Sequence, residues 1–192
     1  MKKIVLVLLI FAVVGTAAFA FDIETFADPI EPGNILISPT FNLGTYSYSG
    51  MVIGVTASGD YALPIPIMVG LEVGVALTTW EYGPTSIPIL ARASWHPNFE
   101  VDGLDVYLRL KLGYNIAFGE WSDYWKWGGG FSWGGSTGVR YFFSENMGVF
   151  GEVGYDLYGI SIQGRYGAGY YGGVAGAIGT WFHAGVSFKI ET

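Results

Sequence analysis

The chain of 192 residues contains no cysteine. That excludes a disulfide framework and an anchor attached through a lipidated cysteine. Charge is also scarce, with Asp, Glu, Lys and Arg at 13%, where a water-soluble domain carries about 25%. What charge there is leans acidic: 9 basic residues against 16 acidic, net −7. Such a chain has no electrostatic footprint for nucleic acid. After Ala20 there is no run of about 18 apolar residues, so no transmembrane helix is written here. There is no HExxH, no metal-ligand spacing and no credible phosphate-binding glycine motif. We therefore expect no metal, no cofactor and no catalytic residue.

What remains is unusual. The chain is 51% hydrophobic and 17% aromatic, with 30 glycines. Its start, "MKKIVLVLLIFAVVGTAAFAFD", has Lys2 and Lys3 before an apolar stretch from Ile4 to Val14, then Ala18-Phe19-Ala20. That pattern is a secretory signal peptide over residues 1–20, with the mature chain beginning at Phe21. Residues 21–33 read as an irregular acidic lead-in, and residues 34–192 as one domain.

Within that domain eight segments alternate with a period of two, the signature of strands with two unlike faces. They run Asn34 to Thr45, Met51 to Leu63, Ile67 to Trp80, Ile87 to His96, Leu104 to Ile116, Phe131 to Phe143, Met147 to Tyr158, and a last one ending at Ile190. The fifth is the cleanest: Leu104, Val106, Leu108, Leu110, Leu112, Tyr114 and Ile116 share one face, and Asp105, Tyr107, Arg109, Lys111, Gly113 and Asn115 the other. Segments of this length fit tilted strands crossing a bilayer, which need about 9–11 residues. Strands can sit in lipid only as a closed barrel, and an even count returns both chain ends to one side. Aromatics near segment ends (Trp80, Tyr82, Trp95, Tyr114, Trp133, Tyr141, Phe143, Tyr155) suit girdles at the two interfaces. A soluble calyx would turn the oily faces inward and need charge outside. Here the face opposite the aliphatic one is mostly Gly, Ser, Thr and Ala, which suits a narrow lumen. The fold class expected is all-β: an eight-stranded antiparallel up-and-down transmembrane barrel.

Charged residues are few, and six fall on the lumen face at similar heights: Glu72, Arg92, Arg109, Lys111, Arg140 and Glu152. Charges taken from water must be paired, so they are expected to form a polar plug, with Asp60, Asp105 or Asp156 helping to balance it. Pro39 and Pro88 fall inside strands and call for bulges or strand ends. The stretch "FGEWSDYWKWGGGFSWGG" reads as a loop in which Trp121, Tyr124, Trp125, Trp127 and Trp133 offer a candidate extracellular binding surface. A later Gly/Tyr-rich loop adds Tyr166, Tyr170 and Tyr171. His96 stands before Pro97 at a turn, with no Ser or Asp in a marked relation to it, and His183 faces the lumen; both read as structural.

These features together resemble the small eight-stranded outer-membrane barrels of the outer-membrane protein A, X and W types, over about residues 33 to 192. The last strand, "FHAGVSFKI", alternates to Phe188; family members often end on an aromatic, whereas "KIET" follows here. The resemblance implies a bacterial outer-membrane location, with membrane lipid and the barrel assembly machinery as partners. The A and X types imply envelope structure or surface interaction with a host or surface ligand. The W type implies a narrow, porin-like route for small hydrophobic solutes. Some eight-stranded relatives modify lipid A; the deacylase type would need a lipid-facing His–Ser pair, and His183 is on the opposite face. The expected function is envelope structure or surface interaction through the loops, with the solute route as the alternative.

Overall fold

A computed structural model of the chain describes residues 22–26, 30–46, 50–79, 81, 83–99, 101–122, 125–164 and 172–191. The signal peptide, Trp80, Tyr82, Tyr124 and the tyrosines at 166, 170 and 171 lie outside the described residues. Eleven strands follow in order: β1 Asp22–Phe26, β2 Ile35–Tyr46, β3 Gly50–Ala62, β4 Ile67–Thr78, β5 Thr85–Trp95, β6 Pro97–Asn98, β7 Leu104–Phe118, β8 Glu120–Ser122, β9 Trp125–Ser144, β10 Met147–Gly164 and β11 Gly172–Ile190. Eight of them, β2, β3, β4, β5, β7, β9, β10 and β11, pair antiparallel in chain order. The β11–β2 ladder closes the sheet into a barrel.

The alternating residues dictate which way the barrel is turned. Leu71 and Leu110 are 66% and 71% exposed, while their neighbours Glu72 and Lys111 are 5% and 3% exposed. The same inversion repeats along β2, β3, β5 and β9, where Phe41, Val55, Ile89 and Tyr141 point outward. A chain that turns its aliphatic side chains out and its charges in is built for an apolar solvent. Two small apolar layers bracket the charged interior. Ile30, Leu36, Ala62, Met68 and Phe142 pack at the end carrying the short turns. Val52, Ala76, Tyr158 and Trp181 pack towards the other.

The structure departs from the sequence expectation in several places. The lead-in contains β1, which pairs with β6. The tryptophan-rich stretch is not a loop: β8 and the start of β9 form a hairpin within it, Glu120 opposite Lys126. The last three strands run past the bilayer-spanning length, to 20, 18 and 19 residues. Glycine-rich runs such as Gly128–Gly130 carry little strand propensity of their own. Their partners across the ladder, Gly128 opposite Ser161 and Gly129 opposite Ile160, hold them extended.

Nor do the prolines make bulges. The β2–β11 ladder skips from Thr40–Gly185 to Ile37–Phe188 around Pro39 without changing register. The β4–β5 ladder does the same around Pro88, between Val73–Ile89 and Ala76–Ser86. Each missing N–H is absorbed as a local gap, and beside Pro39 the hydroxyls of Ser38 and Ser187 bond across the gap at 2.9 Å. Among the eight barrel strands the register shifts instead fall on β9–β10, one near Met147 and one between Leu157 and Ile160.

Because Leu110 stands at the middle of β7 on the outer face, Leu110→Arg puts a charge into hydrocarbon. It should destabilise the protein folded in lipid vesicles by about 2–4 kcal/mol, read by urea titration. An unchanged midpoint would contradict a lipid-facing Leu110.

Candidate functional site

The six charges expected in the lumen are all buried inside the barrel, and the period of two explains how they meet. Glu72 on β4, Arg92 on β5, Arg109 and Lys111 on β7, Arg140 on β9 and Glu152 on β10 all take inward positions. Arg92 forks to two acids, reaching Asp60 at 2.7 Å and Glu72 at 2.9 Å. Arg109 bonds Glu152 directly, which also accepts from Tyr107 at 3.1 Å and from the Ser136 hydroxyl. Lys111 sits among Glu152 at 3.6 Å, Glu72 at 3.7 Å and Asp156 at 3.7 Å. Arg140 closes a separate pair with Asp105 at 2.9 Å. The planar guanidinium serves two carboxylates at once, and the Lys ammonium, with its rotatable donors, is shared among three.

Several members of this network carried no signal beyond their inward parity. Tyr107 lies under both guanidinium groups, with Arg109 4.5 Å and Arg140 5.1 Å from its ring centre. Its ring occupies the space that a side chain at Gly138 would need, so a glycine opposite Tyr107 is a packing requirement. His183 donates its Nδ1–H to the Asn42 amide oxygen at 2.6 Å, and the Asn42 amide nitrogen in turn donates to the Thr56 hydroxyl at 3.2 Å, tying the charged layer to β2 and β3. No three His, Asp or Glu side chains among the described residues are arranged to hold a metal ion.

His96 corrects the sequence reading. Its Nε2 is 2.7 Å from the Ser94 hydroxyl and its Nδ1 is 2.7 Å from Asp105. Ser94 precedes it by two residues on the same face, and Asp105 begins the lumen face of the next long strand. The same inward parity was the available clue. The carboxylate fixes the tautomer: Nδ1–H donates to Asp105, and Nε2 accepts from Ser94. The order Ser–His–Asp is that of a nucleophilic relay, but His96 and Asp105 are 0% exposed and Ser94 is 4% exposed. A substrate needs access to the serine, so this arrangement works as a lock on the turn after β5.

The aromatic candidates separate. Trp133 is 50% exposed and points outward from β9, opposite Leu112 and Leu157, so it joins the membrane-facing surface instead of a loop. Trp127 is half-buried on the extended part of β9, opposite Ile162. The backbone of Trp121 lies in β8 and that of Trp125 starts β9. Four of the five candidate aromatics thus lie on strands, with Trp121, Trp125 and Trp127 in the hairpin and Trp133 on the outer wall, while Tyr124 lies outside the described residues.

Two outcomes follow. Arg92→Met leaves Asp60 and Glu72 without their shared partner, and unfolding in detergent should show a loss of about 3–5 kcal/mol; a change below about 1 kcal/mol would mean the pair is not buried as described. His96 lies past the end of β5, and burial holds it below the usual value of 6.5, opposed by Asp105. Its folded form favours the neutral ring, so stability is full above pH 6.5 and falls as pH drops below it. The fall from about pH 7 to about pH 5 should be shallower in His96→Gln, and parallel curves would rule this out.

By sequence, no known protein family and no curated protein matches the chain. By structure it is similar to neisserial surface protein A, with a TM-score of 0.60 at 17% identity over 82% of this chain and 96% of that one. It is similar to the outer membrane protein OprG from Pseudomonas aeruginosa, with a TM-score of 0.59 at 13% identity over 89% and 100%. A de novo designed transmembrane β-barrel follows, at 0.50 and 12% over 84% and 98%. The closed antiparallel barrel, its outward aliphatic face and these likenesses together give the chain the fold of the small eight-stranded outer-membrane β-barrels.

Proposed function

We propose that the protein is an integral outer-membrane barrel whose lumen is a polar plug, serving envelope structure or surface interaction at the end where β9, β10 and β11 outreach the other strands. In this reading the signal peptide directs export, the barrel assembly machinery inserts the mature chain, and outer-membrane lipid surrounds it. The N-terminus and short turns face the periplasm, and the long strands face outward. The single observation that carries the reading is the lumen itself. Asp60, Glu72, Arg92, Arg109, Lys111 and Glu152 cross-link opposite walls, with an apolar layer at each end. An eight-stranded interior is just wide enough for side chains, and these fill it with paired groups. Chemistry is not part of the reading: the Ser94 hydroxyl beside His96 is shut away from solvent.

One observation favours a second reading, a route for small hydrophobic solutes. Between the ridges of β4 and β7 the small side chains of Ala91 and Ala93 leave an apolar trough of about 570 Å³ on the outer wall, flanked by Val69, Leu110, Leu112 and Trp133. A solute could lie in such a trough before reaching the barrel wall. The two readings part in lipid vesicles. A plugged barrel gives no steady single-channel current and no uptake of a hydrophobic dye above that of empty vesicles. Dye uptake that disappears in Ala93→Trp, which fills the trough, would favour the second reading and overturn the first.

A further inference from the structure

The apolar trough over Ala91 and Ala93 does not end at mid-wall. A second one, of about 720 Å³, continues it towards the end carrying the short turns, sharing Ala93 and Leu110 and adding Ile67 and Trp95. The register explains the shape. Ala93 stands between Val69 on β4 and Leu110 on β7, and Ala91 between Leu71 and Leu112. Each alanine is the low point between two taller side chains on the same outer face. β4 and β7 are two strand spacings apart, about 9–10 Å, which leaves width for one extended hydrocarbon chain. From Ala91 to Trp95 the floor is about 13 Å long at a rise of about 3.3 Å per residue, close to half of a hydrocarbon core about 30 Å thick. The trough is therefore one leaflet deep. It ends at Trp95, a side chain of the kind that settles at headgroup level.

The foot of the trough is acidic. Asp102 is exposed in the turn that leads into β7. β1, which carries Asp22 and Glu24, is paired with β6 just beyond Trp95. Elsewhere on this rim Glu31, Glu145 and Glu191 are exposed, and the one described base on it is Lys189. Lys189 stands on β11, four strands from β5 in either direction around the barrel, and 3.1 Å from Glu191. This foot repels an anionic headgroup and attracts an ammonium group.

Resting on the orientation in the plugged-barrel reading, which sets this end in the periplasmic leaflet, we propose that the trough is a binding site for one phosphatidylethanolamine molecule. One acyl chain lies over Ala91 and Ala93 between the walls of β4 and β7. The glycerol and phosphate sit at the level of Trp95, and the headgroup ammonium reaches the acidic foot. Shape selects a single chain, and charge selects the amine. The bound lipid stays with the barrel when the freely exchanging lipid around it is stripped away.

The test uses the mature protein refolded in detergent and given equal amounts of phosphatidylethanolamine and phosphatidylglycerol with the same tails. Native mass spectrometry then counts what each barrel retains. One phospholipid per barrel is expected, with phosphatidylethanolamine favoured by about fivefold, as a few exposed charge pairs would give. Because those charges meet water, the preference should shrink in about 0.5 M salt, a check that needs no variant. Ala93→Trp fills the trough and should lose the retained lipid while keeping its heat-modifiable gel mobility. The combined change Asp22→Asn, Glu24→Gln and Asp102→Asn should keep one lipid and bring the two phospholipids to near parity. No lipid on the wild type, equal retention of both phospholipids, retention unchanged in Ala93→Trp, or a lipid-free dimer joined through this face would overturn the proposal. If vesicles stay impermeable to dye while no lipid is retained, only this inference falls. If they take up dye through the trough, the plugged-barrel reading falls.

Discussion

Lipid offers a backbone no hydrogen bond in exchange for one that is broken, so every membrane-crossing strand must give both edges to a neighbour. The β11–β2 ladder meets that requirement, and the rest of the molecule follows from it. Closure fixes an inside and an outside. The period of two then sends each alternate residue to one or the other, with no further choice. Aliphatic residues go to lipid. Whatever is polar must fit, paired, in a cylinder only a few side chains wide.

That confinement explains why so few charges make so dense a network. Arg92 takes two acids, and Lys111 is shared among three. Removing any one leaves a neighbour exposed to a medium that does not solvate it. The glycines are the counterpart of the large side chains: Gly138 yields its place to the Tyr107 ring, and Gly134 lies against Asp156. The requirement lapses where the chain leaves the bilayer. There, water can satisfy a free edge, and among the described residues β11 runs on with one neighbour instead of two. A barrel that must be closed in the membrane is free to be open above it.

The alternation made the eight strands and their faces legible without coordinates. Glu72, Arg109 and Glu152 could be placed on the lumen side from parity alone, and their similar heights followed from counting residues from the turns. The pairing partners could not be read in this way. Whether Arg140 meets Glu152 or Asp105 depends on strand stagger, which a single sequence does not encode. His96 was misread because its partners come from two different strands, Ser94 beside it and Asp105 across the next turn. The reach of β9, β10 and β11 was also hidden. Their glycine-rich ends carry no hydrophobic alternation, and they are strands because their neighbours are.

The most direct test of the inside-out barrel is spin-label accessibility along β7 in lipid vesicles. The chain has no cysteine, so each site can be labelled singly through a new one. Labels replacing Leu108, Leu110, Leu112, Tyr114 and Ile116 should collide readily with oxygen, which partitions into lipid, and only weakly with a water-soluble nickel chelate. Strong collision with the chelate at Leu110 and Leu112, the middle of the strand, would mean that this face meets water, and the barrel would have to be a soluble one.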